Sequence, residues 1–268
     1  MTQYIFTAAD MNFIPAGTRA PEYRYLPGAT EAARNHDLEA RSVRIFSGRI
    51  DEDAYRLDRH GFQYVREPSV LGWRGDLDDA EVRRDYYPEV ADILRGATGA
   101  RDVLIFDHTV RRAGADGARQ PALHVHNDYT DTSAPKRVAQ LLGEAEARRR
   151  FSSGRVSQVN LWRPLRATVQ ALPLGFVDAS TVRPTDLRKL ALIYPDRVGE
   201  IYGLSHGRGQ RWTYFPEMTP DEAVLIKGYD SALDGRARFT PHSGFVDPNT
   251  PADAPPRESI EVRAFLFH

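Results

Sequence analysis

The 268 residues carry 36 basic and 37 acidic side chains, a formal net charge of −1, with 41% apolar and 27% charged residues. This excludes wholesale disorder and allows one large domain, while the charge balance leaves no excess for counterion-release binding to nucleic acid. With no cysteine in the chain, disulfides, thiolate metal sites, iron–sulfur clusters and Cys nucleophiles are excluded, so any metal must be held by His, Asp or Glu.

All basic residues except Lys136, Lys189 and Lys227 are arginines, whose planar fork suits carboxylates. The N-terminus has no basic region followed by an apolar run, and no stretch approaches the ~20 apolar residues that span a bilayer. A soluble cytoplasmic protein without a membrane partner is expected.

Residues 1–42 mix the apolar run Tyr4–Phe6 with Pro15, Gly17, Pro21, Pro27 and Gly28, a composition of turns and an extended N-terminal arm. Val43–Phe46 and Phe62–Val65 read as strands. From Asp78 to about Gly99, apolar Val82, Tyr86, Val90, Ile93 and Leu94 recur at helical spacing, with a bend or restart at Pro88. Val103–Phe106 reads as a buried strand, and a second strand covers Ala122 to Thr130.

Ser133 and Pro135 open a helix expected to reach about Phe151. Val156–Trp162 is strand-like, and a shorter helix is expected over Thr185 to Ile193. Ile201–Leu204, Arg211–Phe215, Ala223–Lys227 and Ile260–Phe267 are further strands, and Pro248 to Pro256 reads as a loop. Short strands at regular spacing give a mainly β fold with flanking helices, a barrel or sandwich over roughly 100–268 within a single 1–268 domain.

In His124-Val125-His126-Asn127-Asp128, the two-residue strand period puts His124, His126 and Asp128 on one face. An imidazole and a carboxylate so placed can grip one ion, and a second distant histidine would complete a two-His, one-carboxylate set of the kind found in non-haem Fe(II) oxygenases. His242 stands ahead of a Gly- and Pro-rich loop, and Arg257 and Ser259 share a face at the start of the last strand. Their fork and hydroxyl suit a small dicarboxylic acid.

His-x-Asp, a distant His and an Arg-x-Ser in this order resemble the Fe(II)/2-oxoglutarate-dependent oxygenases. The segments Phe106–Arg111, His126–Thr130, Asn160–Pro164, Trp212–Met218 and Tyr229–Ser231 resemble, more narrowly, the natural-product oxidases that include the cephamycin 7α-methoxylation component and the fungal meroterpenoid endoperoxide synthase. The resemblance implies a double-stranded β-helix (jelly-roll) core and Fe(II) held by His126, Asp128 and His242. It further implies that 2-oxoglutarate is anchored by Arg257 and Ser259, that O2 is the oxidant, and that the substrate is a small natural-product molecule to be hydroxylated, desaturated or otherwise oxidised.

Asn160, Trp212, Tyr214 and His124 are the expected substrate-pocket residues, on strand parity. Two rival readings stay open. One is a cupin-like metalloenzyme using His124, His126 and His242 without an oxoacid, and the other is a non-catalytic jelly-roll binding protein. A serine hydrolase is excluded because no Gly-x-Ser-x-Gly elbow is present.

Overall fold

A computed structural model describes residues 5–26, 32–69, 78–115 and 118–268; Tyr4, Pro27 and Gly28 of the expected arm lie outside them. In chain order the strands are β1 (Phe6–Phe13), β2 (Glu22–Arg24), β3 (Ala33–Arg34), β4 (Glu39–Ser47), β5 (Phe62–Arg66), β6 (Asp102–Arg112), β7 (His126–Asn127), β8 (Val156–Pro164), β9 (Leu174–Val177), β10 (Leu187–Ile193), β11 (Val198–Leu204), β12 (Trp212–Tyr214), β13 (Glu222–Asp230), β14 (His242–Gly244) and β15 (Glu258–Phe267). They form two sheets, ordered β1-β4-β12-β9-β14-β7-β11-β10-β2-β3 and β5-β13-β8-β15-β6.

Alternation along the strands sorts the core into layers. On β15 and β8, Ile260, Val262, Ala264, Leu266, Val159 and Leu161 pack outward against Val90 and Leu94 of the helix Tyr87–Thr98. The opposite face sends Trp162, Val224, Ile226, Phe62 and Tyr64 to meet Leu174 and Phe176 of the other sheet. The space between the sheets is therefore lined from both sides. Because both faces of β8 and β13 are covered, every residue of each is buried.

The helix expected from Asp78 runs as one rod with a π-turn at Val82–Tyr86 and Pro88 in the first turn of the segment after it. Proline lacks an amide hydrogen and its ring crowds the carbonyl four residues back, so a widened turn just before it keeps the rod continuous. The second expected helix is two, Ser133–Leu142 and Glu144–Ser153, broken at Gly143, whose φ of 84° is open to glycine at little cost.

Three expectations are corrected. Thr185 to Ile193 is not a helix but contains β10, clamped between β11 (antiparallel) and β2 (parallel). The helix-favouring Leu, Arg, Lys and Ala there are overridden by ladder pairing on both edges. Residues 6–13 are no loose arm, since β1 pairs along its full length with β4 and buries Thr7, Ala9, Met11 and Phe13. Small Ala9 and Thr7 made that alternation weak in sequence. Finally, only His126–Asn127 of the expected Ala122–Thr130 strand joins a ladder.

The register of β13 against β8 shifts between Lys227 and Tyr229. Lys227 and Asp230, 1% and 0% exposed, flank this bulge as a buried ion pair (Nζ to Oδ2, 2.9 Å), and Asp58 and Arg155 close the network. Burial raises the Asp230 pKa, but Arg155 and Lys227 outweigh it and hold the carboxyl below its usual range. A depressed folded pKa gives stability that is present above the unfolded value, about 4, and is lost as pH falls through the folded one. Asp230→Ala is expected to cost about 3 kcal/mol at neutral pH, measured by denaturant unfolding, because buried Lys227 and half-buried Arg155 lose a fully buried carboxylate and keep only the half-exposed Asp58. Wild-type stability in that variant would show that Asp58 alone compensates the lysine.

Candidate metal centre

β7 lies between β14 and β11, with His126 directly opposite His242 on one side and Gly203 on the other. Cross-strand partners bring their Cβ atoms to about 5 Å, and the two imidazole centroids are 4.8 Å apart. Asp128, two residues on, places Oδ1 3.6 Å from His126 Nε2. One donor atom from each of His126, Asp128 and His242 lies within 4.8 Å of the others.

The ring orientations are fixed from behind. His126 Nδ1 bonds the carbonyl of His124 and His242 Nδ1 that of Thr240, both at 2.9 Å. A carbonyl only accepts, so each Nδ1 carries the hydrogen and each Nε2 presents its lone pair. Burial and the facing His242 push the His126 pKa down to about 4, keeping that ring neutral at physiological pH.

Asp128 is held by its other oxygen. Asn160 Nδ2 (2.7 Å) and Arg263 Nε (3.0 Å) both donate to Oδ2, leaving Oδ1 turned to the histidines. Burial would raise its pKa, yet the Arg263 guanidinium and the two imidazoles hold it well below the usual carboxylate range. Arg263 is itself steadied by Thr109 (2.9 Å), Asp107 (3.2 Å) and Glu261.

Asn127, fully buried, ties the two ligand segments together. Its Oδ1 accepts from the Thr240 amide (2.8 Å), two residues before His242, and its Nδ2 donates to the Gly228 carbonyl in the β13 bulge (2.8 Å) and to Tyr129 O (2.7 Å). A Cβ at Gly228 would lie 2.0 Å from Gln158 Oε1, so a larger residue there would require the Gln158 side chain to shift. The bulge pinned by Lys227 and Asp230 thus sets the height of the ligand strand.

Arg257 is 3% exposed and donates Nη1 to the carbonyl of Leu172 (2.6 Å), while its buried Nε has no partner. Its guanidinium lies over Trp162, 5.7 Å from the ring centroid. Burial and the repulsion of Arg111 push its pKa down to about 9, so it remains a cation at neutral pH. A buried cation with an unused donor is costly unless an anion completes it. Ser259, buried two residues on, shares its face.

The remaining pocket expectations divide. Asn160 reaches the site, touching a ligand carboxylate. His124 lies beside the triad, its ring 4.9 Å from His126 and 4.9 Å from Tyr23 of β2. Trp212 and Tyr214 do not line the site: they pair with Val177 and Gly175, whereas His242 pairs with Phe176, so they occupy the opposite face of the sheet. There they pack with Phe13, Val125 and Phe245. Sequence parity relates residues within a strand but not between strands of unknown register.

Asn127 and Arg263, which hold the candidate ligands in place, are residues that sequence reasoning missed. Arg263 was within reach, since 257, 259, 261 and 263 share one parity. Asn127 has the wrong parity for a ligand, and only the packing of three strands shows its use. Asn160→Ala is expected to weaken Fe(II) binding by about 10- to 100-fold through a mobile Asp128, read by anaerobic Fe(II) titration. An unaltered affinity would mean that Arg263 alone suffices.

Two imidazoles and one carboxylate on a single face, with open positions opposite, are the donor set of non-haem Fe(II) oxygenases. The class defined by this fold and site is thus an iron-dependent oxygenase on a two-sheet β scaffold. A family profile described as "Oxidoreductase/YMDC permease-like domain" matches residues 8–267; no helix among the described residues is long and apolar enough to cross a membrane.

Similar curated proteins include the hydroxylase/desaturase efuI of Hormonema carpetanum, 35% identical over 82% of this chain and 81% of that protein. Another is the Fe(II)/2-oxoglutarate-dependent dioxygenase nvfI of Aspergillus novofumigatus, 33% identical over 94% and 92%. A solved structure of the iron and alpha-ketoglutarate-dependent endoperoxidase NvfI, in variant form, superposes with a TM-score of 0.88 at 30% identity, covering 100% of this chain and 99% of that one. The chain belongs to the Fe(II)/2-oxoglutarate-dependent dioxygenases, with their jelly-roll fold.

Proposed function

We propose that His126, Asp128 and His242 hold Fe(II), that Arg257 and Ser259 hold the distal carboxylate of 2-oxoglutarate, and that the enzyme oxidises a small natural-product molecule. Hydroxylase, desaturase and endoperoxidase relatives support the substrate class. The reading is of one oxygenase unit over 1–268 in the cytoplasm, without a nucleic-acid or membrane partner, in keeping with the balanced charge.

The observation that carries it is the convergence of three donor atoms within 4.8 Å while both Nδ1 atoms are committed to backbone carbonyls. When bound, iron with 2-oxoglutarate and O2 supplies the oxidising power, the co-substrate leaving as succinate and CO2. The chain's own residues do the rest. Asn160 and Arg263 fix the carboxylate, Arg257 orients the co-substrate, and Phe62, Trp162 and Phe176 keep the space between the sheets apolar.

The cupin-like reading would need His124 in place of Asp128, but the converging set contains Asp128. Its Oδ2 is also built into a hydrogen-bond network that leaves Oδ1 free. Fe(II)-loaded protein given 2-oxoglutarate and O2 is expected to release succinate, faster once the correct organic substrate is supplied. Metal binding with no succinate would favour the cupin-like reading, and no Fe(II) binding the non-catalytic one.

A further inference from the structure

β6 forms the edge of the five-stranded sheet next to β15, and its Asp107, Thr109 and Arg111 alternate onto one face. The register sets Asp107 opposite Arg263, Thr109 opposite Glu261 and Arg111 opposite Ser259. Arg263 bonds both Asp107 and Thr109, so this face is the one that turns to the metal ligands. The Ala113 amide donates to the Arg257 carbonyl (2.9 Å), which carries the ladder on and makes Arg111 the diagonal neighbour of Arg257.

Charges on this row are unevenly satisfied. Arg263 takes Asp128, Asp107 and Glu261. Arg111 and Arg257 take part in no ion pair among the described residues; their side-chain hydrogen bonds go to the backbone carbonyls of Gln120 (2.7 Å) and Leu172 (2.6 Å). The neighbouring carboxylate, Glu261, is hydrogen-bonded to Arg263 and attracts Arg111 and Arg257 only through space. Arg111 also depresses the Arg257 pKa more than any other charge does.

Two guanidinium groups of like charge on either side of one buried serine, Arg257 buried and Arg111 half-buried, repel each other until an anion lies between them. We infer that Arg111 is a second guanidinium for the distal carboxylate of 2-oxoglutarate, closing on it from β6 while Arg257 and Ser259 hold it from β15. This rests on the co-substrate reading above and adds a binding residue outside the Arg-x-Ser pair.

The test titrates anaerobic Fe(II)-loaded protein by calorimetry with 2-oxoglutarate and with 2-oxopentanoate, which lacks the distal carboxylate. Arg111→Gln is expected to raise the Kd for 2-oxoglutarate about 10- to 100-fold, the usual effect of losing a charge-assisted hydrogen bond, and to leave that for 2-oxopentanoate unchanged. Arg111→Lys should recover part of the loss. The thermal midpoint of the ligand-free variant should not fall, because one of two repelling charges is gone.

An unchanged Kd for 2-oxoglutarate, or equal weakening of both keto acids, overturns the inference. So does a lowered midpoint with affinity intact, which would make Arg111 merely structural. A wild-type protein that binds Fe(II) but prefers neither keto acid overturns the co-substrate reading itself, and this inference with it.

Discussion

Asp128→Ala is expected to reduce succinate formation by about three orders of magnitude or more, because it removes the only carboxylate of the facial set. It also frees Arg263 Nε and Asn160 Nδ2, both of which donate to Asp128 Oδ2. Loss of activity could therefore arise from disorder behind the site as well as from a missing ligand. Asp128→Asn separates the two, since it keeps the shape and one acceptor while losing the charge.

Its thermal midpoint should stay near that of wild type while Fe(II) affinity and turnover collapse. His242→Ala belongs to the same test, acting from another strand. Turnover like that of wild type in either alanine variant would refute the assignment of the metal site.

Arg257→Ala is expected to raise the KM for 2-oxoglutarate about 100-fold, with a smaller change in kcat, because the lost interaction serves the bound co-substrate before and during reaction alike. The ligand-free protein should pay little for the change. Arg257 is a buried cation whose Nε finds no partner and whose pKa is pushed down by burial and by Arg111. Steady-state kinetics with succinate detection, beside thermal unfolding, checks both halves. An unaltered KM would leave the co-substrate to another cation, and a midpoint many degrees lower would make Arg257 a packing residue.

Much of the site could be read in the sequence because its chemistry is concentrated in a few residue types. Without cysteine, metal ligands had to be sought among His, Asp and Glu, and the period of two along a strand joined His126 to Asp128 and Arg257 to Ser259. The same rule went wrong at Trp212 and Tyr214, where parity within β12 was sound but its pairing with β9 turned both rings to the opposite face from His242. A different expectation failed at Thr185 to Ile193. There local preference favoured a helix, and ladder pairing to β11 and β2 prevailed.

By itself, then, the sequence determined the donor types, their order along the chain and a mainly β scaffold, since these follow from composition and short-range periodicity. The tertiary structure alone decided that residues 126 and 242 stand opposite each other, that Asn127 and the β13 bulge hold them there, and that Arg111 falls beside Ser259. Those relations depend on register and pairing between strands more than a hundred residues apart, and no local spacing encodes a register.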